Sequence, residues 1–340
     1  MSKPPISTPQ PDSYAYLSEV HRKGNDVKTE WDQDNQQWWN WYLTLAENEP
    51  GHKVLAAPLD PHRDEADIEV DEGKLATIQD ALSLPYSLQP ESIRRYARDG
   101  YIKLKNVLDP DSLAILRRRI TAILVQELGL EHGLAFRSDE MMWLRDDLVR
   151  CFVLSKRVAQ IAAELMGVRA VRLYHDNTLS KEPGCGRTPW HHDFDHFPID
   201  SLNVCTAWIP LQKIPKNMGP LSYAAGIERY KLIADLPFSK FDVSYDKQVG
   251  EIFAENDVTI DDGPFDLGEV SFHHTLSFHT AGSNQTNTPR MVLATTYFED
   301  GARLVSNPTM ISGDFRKFMP GIKPGAVINS SYNPVCYTCV

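Results

Sequence analysis

Long apolar runs are missing from this chain of 340 residues. No stretch approaches the eighteen or so consecutive apolar residues that would suggest a membrane span. The first residues, Met1-Ser2-Lys3-Pro4-Pro5, lead into polar sequence rather than the apolar segment of a secretory leader. Cysteine is scarce and odd in number: Cys151, Cys185, Cys205, Cys336 and Cys339 are scattered, which argues against a disulfide framework and fits a reducing cytosol. Cys336 and Cys339 form a C-x-x-C without a second pair, so no zinc or redox role is expected of them. Positive charge is short as well. With 35 Lys and Arg against 46 Asp and Glu, the net charge is −11, whereas a nucleic-acid surface needs a basic footprint. The expectation is a cytoplasmic protein whose partner is a small molecule, not a nucleic acid or a membrane.

What remains is an ordinary globular composition, 42% hydrophobic and 24% charged, long enough to bury a sizeable core. Residues 1–89 read as an N-terminal extension. Four of the seven tryptophans (Trp31, Trp38, Trp39 and Trp41) fall inside it, followed by an acidic linker over 58–73. The tryptophan segment suits a helix packed on the main domain, or a lid or contact through which a homodimer forms. The main domain is expected over 90–340. A helix over 91–99 stops at Gly100, and a strand follows over 101–107. Asp109-Pro110 starts a second helix, with Leu113, Leu116, Ile120, Ile123, Leu124 and Leu128 on one face. A third helix runs over 155–165. Strands then dominate: 169–180, 202–211, 220–224, 251–260, 268–279 and 291–299. The predicted fold class is mainly β with flanking helices, a double-stranded β-helix (jelly-roll, cupin-like) core.

One stretch stands out, Trp190-His191-His192-Asp193-Phe194-Asp195-His196. Alternate side chains of a strand share a face, so His191 and Asp193 would point to a common place. His279, from a distant strand, would complete a two-histidine, one-carboxylate set of the kind that holds non-haem Fe(II). Read alone, H-x-D recurs by chance, and Asp195 with His196 offers a second pair nearby.

The surroundings carry a resemblance. Gly186-Arg187-Thr188-Pro189-Trp190-His191-His192-Asp193 resembles the metal-binding strand of the phytanoyl-CoA dioxygenase family of Fe(II)/2-oxoglutarate oxygenases. Cys205 to Leu211, Asn217-Met218-Gly219-Pro220-Leu221, Gly268 to His279 and Asn284 to Arg290 follow in the family's order. The resemblance spans roughly residues 90–335. It implies that His191, Asp193 and His279 bind Fe(II), and that Arg290 anchors 2-oxoglutarate as co-substrate beside dioxygen. It also implies that Trp208 packs next to the co-substrate. Arginine suits that anchoring role because its fork matches a carboxylate bidentately. Asp193 keeps the carboxylate that halogenating relatives lack, so the resemblance implies a hydroxylase. Where the family often has Gly-Ser after the distal histidine, this chain has Thr280-Ala281.

His175, Asn177 and Met142 are the candidates for the substrate side. His192 should face away from the metal, and His273 should line the barrel as a hydrogen-bonded residue rather than a ligand. The expected activity is a 2-oxoglutarate-dependent dioxygenase that oxidises a C–H bond of a small, largely apolar metabolite, as in specialised-metabolite biosynthesis, releasing succinate and CO2. An acyl-CoA hydroxylase of the same family is the alternative substrate reading. A non-catalytic jelly-roll binding protein is the rival from another class.

Overall fold

The computed structural model describes residues 70–128, 136–236, 244–308 and 314–339. The tryptophan segment and most of the acidic linker lie outside them. Helix α1 (Glu72–Ser83) starts where the Asp71 carboxylate accepts the Lys74 N–H at 2.7 Å. Helix α2 (Pro90–Asp99) has proline in its first turn and ends at Gly100, whose φ of +82° is the left-handed closing conformation. Strand β1 (Tyr101–Leu104) leads to α3 (Pro110–Leu128), opened by Asp109 accepting from Ser112 N–H at 2.8 Å. Strand β2 (Phe136–Glu140), α4 (Asp147–Val153) and α5 (Lys156–Met166) follow. Then come β3 (Ala170–Lys181), β4 (Thr188–His191), β5 (Val204–Pro210), β6 (Leu221–Ala224), α6 (Ser244–Glu255) and β7 (Ile260–Asp261). Strands β8 (Val270–His274), β9 (His279–Ala281), β10 (Arg290–Glu299) and β11 (Val335–Thr338) complete the chain.

The strands form two antiparallel sheets. One has the order β1-β8-β5-β10-β3-β11, with β2 also on β3; the other is β4-β9-β6-β7. This is the expected jelly-roll core, and helices cover the outer face of the larger sheet. Ile102, Phe272, Ala207, Leu293 and Tyr297 point outwards into one large core with Leu113, Leu116, Val158 and Ala162. The opposite parity of the same strands faces the second sheet, around Tyr101, Trp208, Val292, Tyr223 and Leu221. The expected strand over 268–279 is two strands. The chain turns between His274 and His279 and crosses from the large sheet to the small one.

Two expectations are corrected. Residues 251–260 are not a strand: α6 runs to Glu255, and only Ile260–Asp261 pairs with β6. Tyr245, Val249 and Phe253 recur at four-residue spacing and bury one helical face. The boundary at residue 90 also moves, because α1 belongs to the main core. Ile78 and Leu82 are buried in it, and the Ser155 hydroxyl and Arg157 guanidinium donate to the Leu82 and Leu84 carbonyls.

A chain starting at residue 90 should therefore be less stable than one starting at residue 70. Burial of two such side chains is worth about 3–5 kcal/mol, readable as a lower denaturant midpoint; equal midpoints would refute the shared core. Gly219, at φ +73°, is a second test. A Cβ there would lie 2.3 Å from the Gly282 carbonyl oxygen, whereas at Gly321 (φ +78°) nothing lies within 4 Å. Gly219→Ala should cost about 2–4 kcal/mol through strain and overpacking, and Gly321→Ala about 1–2 kcal/mol through strain alone.

Candidate metal centre

Strand β4 pairs with β9 so that His191 and His279 are cross-strand partners, and their rings lie 4.1 Å apart. Asp193 is not on the strand. Strand β4 ends at His191 and Asp193 opens a 3-10 turn to His196. The departure has a cause: Phe194 N–H bonds the Thr275 carbonyl at 3.0 Å, and its ring is buried against Leu202 and Leu276. His192 stays extended (φ −124°, ψ 158°), so the alternation survives one residue past the strand and Asp193 returns to the side of His191. One nitrogen from each of these histidines and one Asp193 oxygen lie within 4.8 Å of one another. Asp193 Oδ1 is 3.7 Å from His279 Nε2.

The protonation states suit a metal. His191 Nδ1 sits 2.8 Å from the Pro189 carbonyl, and His279 Nδ1 sits 2.9 Å from that of Ser277. A carbonyl only accepts, so both Nδ1 atoms carry the hydrogen and both Nε2 atoms keep a lone pair. Burial, reinforced by neighbouring imidazoles, holds both histidines below the usual range. Burial pushes the Asp193 carboxyl the other way, but the His273 hydrogen bond and the imidazoles of His279, His273 and His191 outweigh it and hold it well below that of an ordinary carboxylate. Two neutral imidazoles and one carboxylate are the donor set a ferrous ion takes. Helix α6 fixes β4 from outside: buried Asp246 accepts Trp190 N–H at 2.7 Å and pairs with Arg187, and Phe253 packs edge-on against Trp190 at 5.3 Å.

Arg290 opens β10 on the inner face, 2% exposed. Its guanidinium lies 5.4 Å from the centre of the Trp208 ring, its Nε has no hydrogen-bond partner among the described residues, and burial lowers its pKa to about 10. Lys181 is its partner in register on β3 and is fully buried. Its Nζ donates to the carbonyls of Gly186 (2.9 Å) and Gly282 (2.7 Å). Burial, with Arg290 and Arg187 nearby, brings it down to about 7. Two bases are thus buried together, one on neutral carbonyls, and neither is ion-paired to a carboxylate among the described residues, so the place is short of negative charge. The residues present thus fit an ion at the triad and a carboxylate at Arg290.

The remaining sequence candidates divide. His175 and Asn177 lie on the inner face of β3, in register with Thr296 and Ala294. The His175 ring packs against Phe318 (4.9 Å) and Phe197 (5.7 Å), and its Nδ1 is buried without a hydrogen-bond partner. Asn177 accepts from Ser138 at 2.9 Å. Met142 is not brought to the site. It is fully buried in the outer core, with its N–H on Asp176 and its sulfur by Thr178, both of the opposite parity on β3. His192 packs on Phe278 at 4.7 Å. Lys181, Thr206 and Tyr223 went unnoticed in the sequence. Only a lysine within a strand, and a threonine two residues before Trp208, hinted at the first two.

The family model for phytanoyl-CoA dioxygenase matches residues 96–292. Among curated proteins, a probable alpha-ketoglutarate-dependent hypophosphite dioxygenase of Stutzerimonas stutzeri is 21% identical over 61% of this chain and 77% of its own length. A probable phytanoyl-CoA dioxygenase of Caenorhabditis elegans is 23% identical over 63% and 76%. Among solved structures, the non-heme alpha ketoglutarate dependent carbocyclase SnoK from nogalamycin biosynthesis superposes with a TM-score of 0.61 at 22% identity, covering 74% of this chain and 99% of that one. With the family model spanning more than half of its length, the chain belongs to the phytanoyl-CoA dioxygenase family, and so to the iron- and 2-oxoglutarate-dependent oxygenases.

Proposed function

We propose that His191, Asp193 and His279 hold Fe(II), that Arg290 takes the distal carboxylate of 2-oxoglutarate beside Trp208, and that the enzyme hydroxylates a C–H bond of a small, largely apolar metabolite. One observation carries the reading: a ligand-ready triad and a buried guanidinium with no counter-ion among the described residues both lie on inner faces between the sheets. When bound, iron with 2-oxoglutarate and dioxygen supplies the oxidising power, as the co-substrate is decarboxylated to succinate and CO2.

The protein's own part is placement. The backbone carbonyls at Pro189 and Ser277 orient the two imidazoles. Trp208 and Val292 line the inner face on the Arg290 side and keep it dry, which strengthens a guanidinium–carboxylate pair. On the other side of Thr296, His175 offers a single polar edge among Phe197, Phe318 and Tyr174, a surface suited to a compact substrate with few polar groups. An acyl-CoA would need cations for its phosphates. Lys317, whose charge reaches His175, is already paired with Glu140 at 2.9 Å, and Arg145 is paired with Asp139. The carboxylate at Asp193, in place of a small residue, favours hydroxylation over halogenation.

His279→Ala should abolish both metal binding and succinate release; a variant that still turns over 2-oxoglutarate would sink the triad. Arg290→Met should raise the 2-oxoglutarate requirement by about 30-fold or more, the equivalent of the roughly 2–5 kcal/mol lost when a buried charge pair is truncated. An unchanged KM for 2-oxoglutarate would move the anchor elsewhere. Succinate release across a metabolite library, with a CoA thioester included, tests the substrate class.

A further inference from the structure

Asp193 has left its own strand, yet its carboxylate is held from the opposite sheet. Its Oδ2 lies 3.1 Å from His273 Nε2 and 3.0 Å from Thr206 Oγ1, on β8 and β5 of the large sheet. His273 Nδ1 lies 3.1 Å from the Tyr223 hydroxyl, which lies 2.8 Å from Ser271 Oγ. Tyr223 belongs to β6 of the small sheet and Ser271 to β8, so the chain of contacts from Asp193 to Ser271 crosses between the sheets three times. We propose that His273, backed by Tyr223, is a positioning residue that holds the far oxygen of Asp193, so that the carboxylate meets the metal through Oδ1 alone. This rests on Asp193 being a metal ligand.

Donor and acceptor counting gives one self-consistent set of directions along the chain. An ionised carboxylate only accepts, so His273 Nε2 and Thr206 Oγ1 must donate to it. With its hydrogen on Nε2 alone, the imidazole accepts at Nδ1, which the Tyr223 O–H fills. The tyrosine has only one hydrogen, so Ser271 donates to the tyrosine oxygen. Thr206 has spent its hydrogen on Asp193, so Thr296, 3.1 Å away, donates to Thr206. Every hydrogen bond in both branches runs toward Oδ2.

The far end is clamped too. The Tyr223 ring stacks on Tyr101 at 4.3 Å and 9°. Tyr101 donates to Asp261 at 3.2 Å, and Asp261 is paired with Lys103 at 2.7 Å. A histidine that served only to fill space would have no need of partners on both nitrogens, and an apolar side chain would pack 2%-exposed space at lower desolvation cost. With Oδ2 occupied by two donors, Oδ1 is the oxygen on the side of His279 that remains for the ion. Partners that orient metal ligands in this way typically change metal affinity by about 10–100-fold when removed.

The test is Co(II) binding to the full-length protein, read by calorimetry and by the visible absorption of the bound ion. His273→Leu should weaken Co(II) by about 10–100-fold and alter the absorption bands. His273→Gln, whose amide can donate from nearly the same place, should recover most of both. Tyr223→Phe keeps the ring stack and should weaken Co(II) several-fold; it also carries the test should His273→Leu fail to fold. Wild-type affinity and spectrum in folded His273→Leu or in Tyr223→Phe would overturn the proposal, as would equal losses in the Leu and Gln variants. His279→Ala separates the two levels. Retained Co(II) there means that the ligand set is wrong, whereas lost Co(II) there with wild-type binding in His273→Leu means that only the positioning role is wrong.

Discussion

A one-residue slip of β10 against its two neighbours would turn Arg290, Ala294 and Thr296 out to the helices and bring Met291 and Leu293 in. The register prevents this on both sides. Arg290 faces Lys181 and Thr296 faces His175 on β3, while Ala294 faces Trp208 and Thr296 faces Thr206 on β5. One parity of the large sheet packs on α3 and α5. The other carries almost every polar group at the site that does not come from β4 or β9. The outer core, with Leu293, Phe272 and Ala207 fully buried, makes any such slip costly, because it would expose that whole apolar set. The chemistry of the inner face is therefore stabilised by packing on the outer one.

Charge is divided along the same face. Asp193 stands among three imidazoles, and Arg290 and Lys181 stand together in register on the inner face. In a low-dielectric interior neither group is comfortable unaccompanied. The acidic end is short of a cation beyond its hydrogen bonds, and the basic end is short of an anion. A ferrous ion with a dicarboxylate co-substrate corrects both shortages, which is why the arrangement favours an oxygenase over a binding protein that merely keeps the fold.

Much of this was legible in the sequence, for local reasons. His191, His279, Trp208 and Arg290 sit on regular strands, where period-two alternation and the order of turn residues fix which way a side chain points. Asp193 was legible in outcome, although the strand had already ended: the extended His192 preserves period-two alternation. Where local pattern was ambiguous, the reading failed. Ile252-Phe253 fits period two as well as 3.6, and only Tyr245 and Val249 upstream reveal the helix. Helix α1 carries few apolar residues and merged with the acidic linker before it. Met142 was misplaced because nothing near it in sequence tells which face of β3 it meets.

The contacts that no sequence argument found share one property: they run between the sheets. Lys181 ties the loop before β4 to the loop after β9, through Gly186 and Gly282. His273 and Thr206 reach from the large sheet to an aspartate carried by the small one. Each strand that carries a triad histidine is short, four residues for β4 and three for β9, and two such strands alone would hold the imidazoles loosely. The opposing sheet supplies what they lack. Because Asp193 is bonded to β8 and β5 while the histidines ride on β4 and β9, the triad closes only when the two sheets are correctly spaced. The geometry of the triad is thus a property of the whole jelly roll and not of the short motif that announces it.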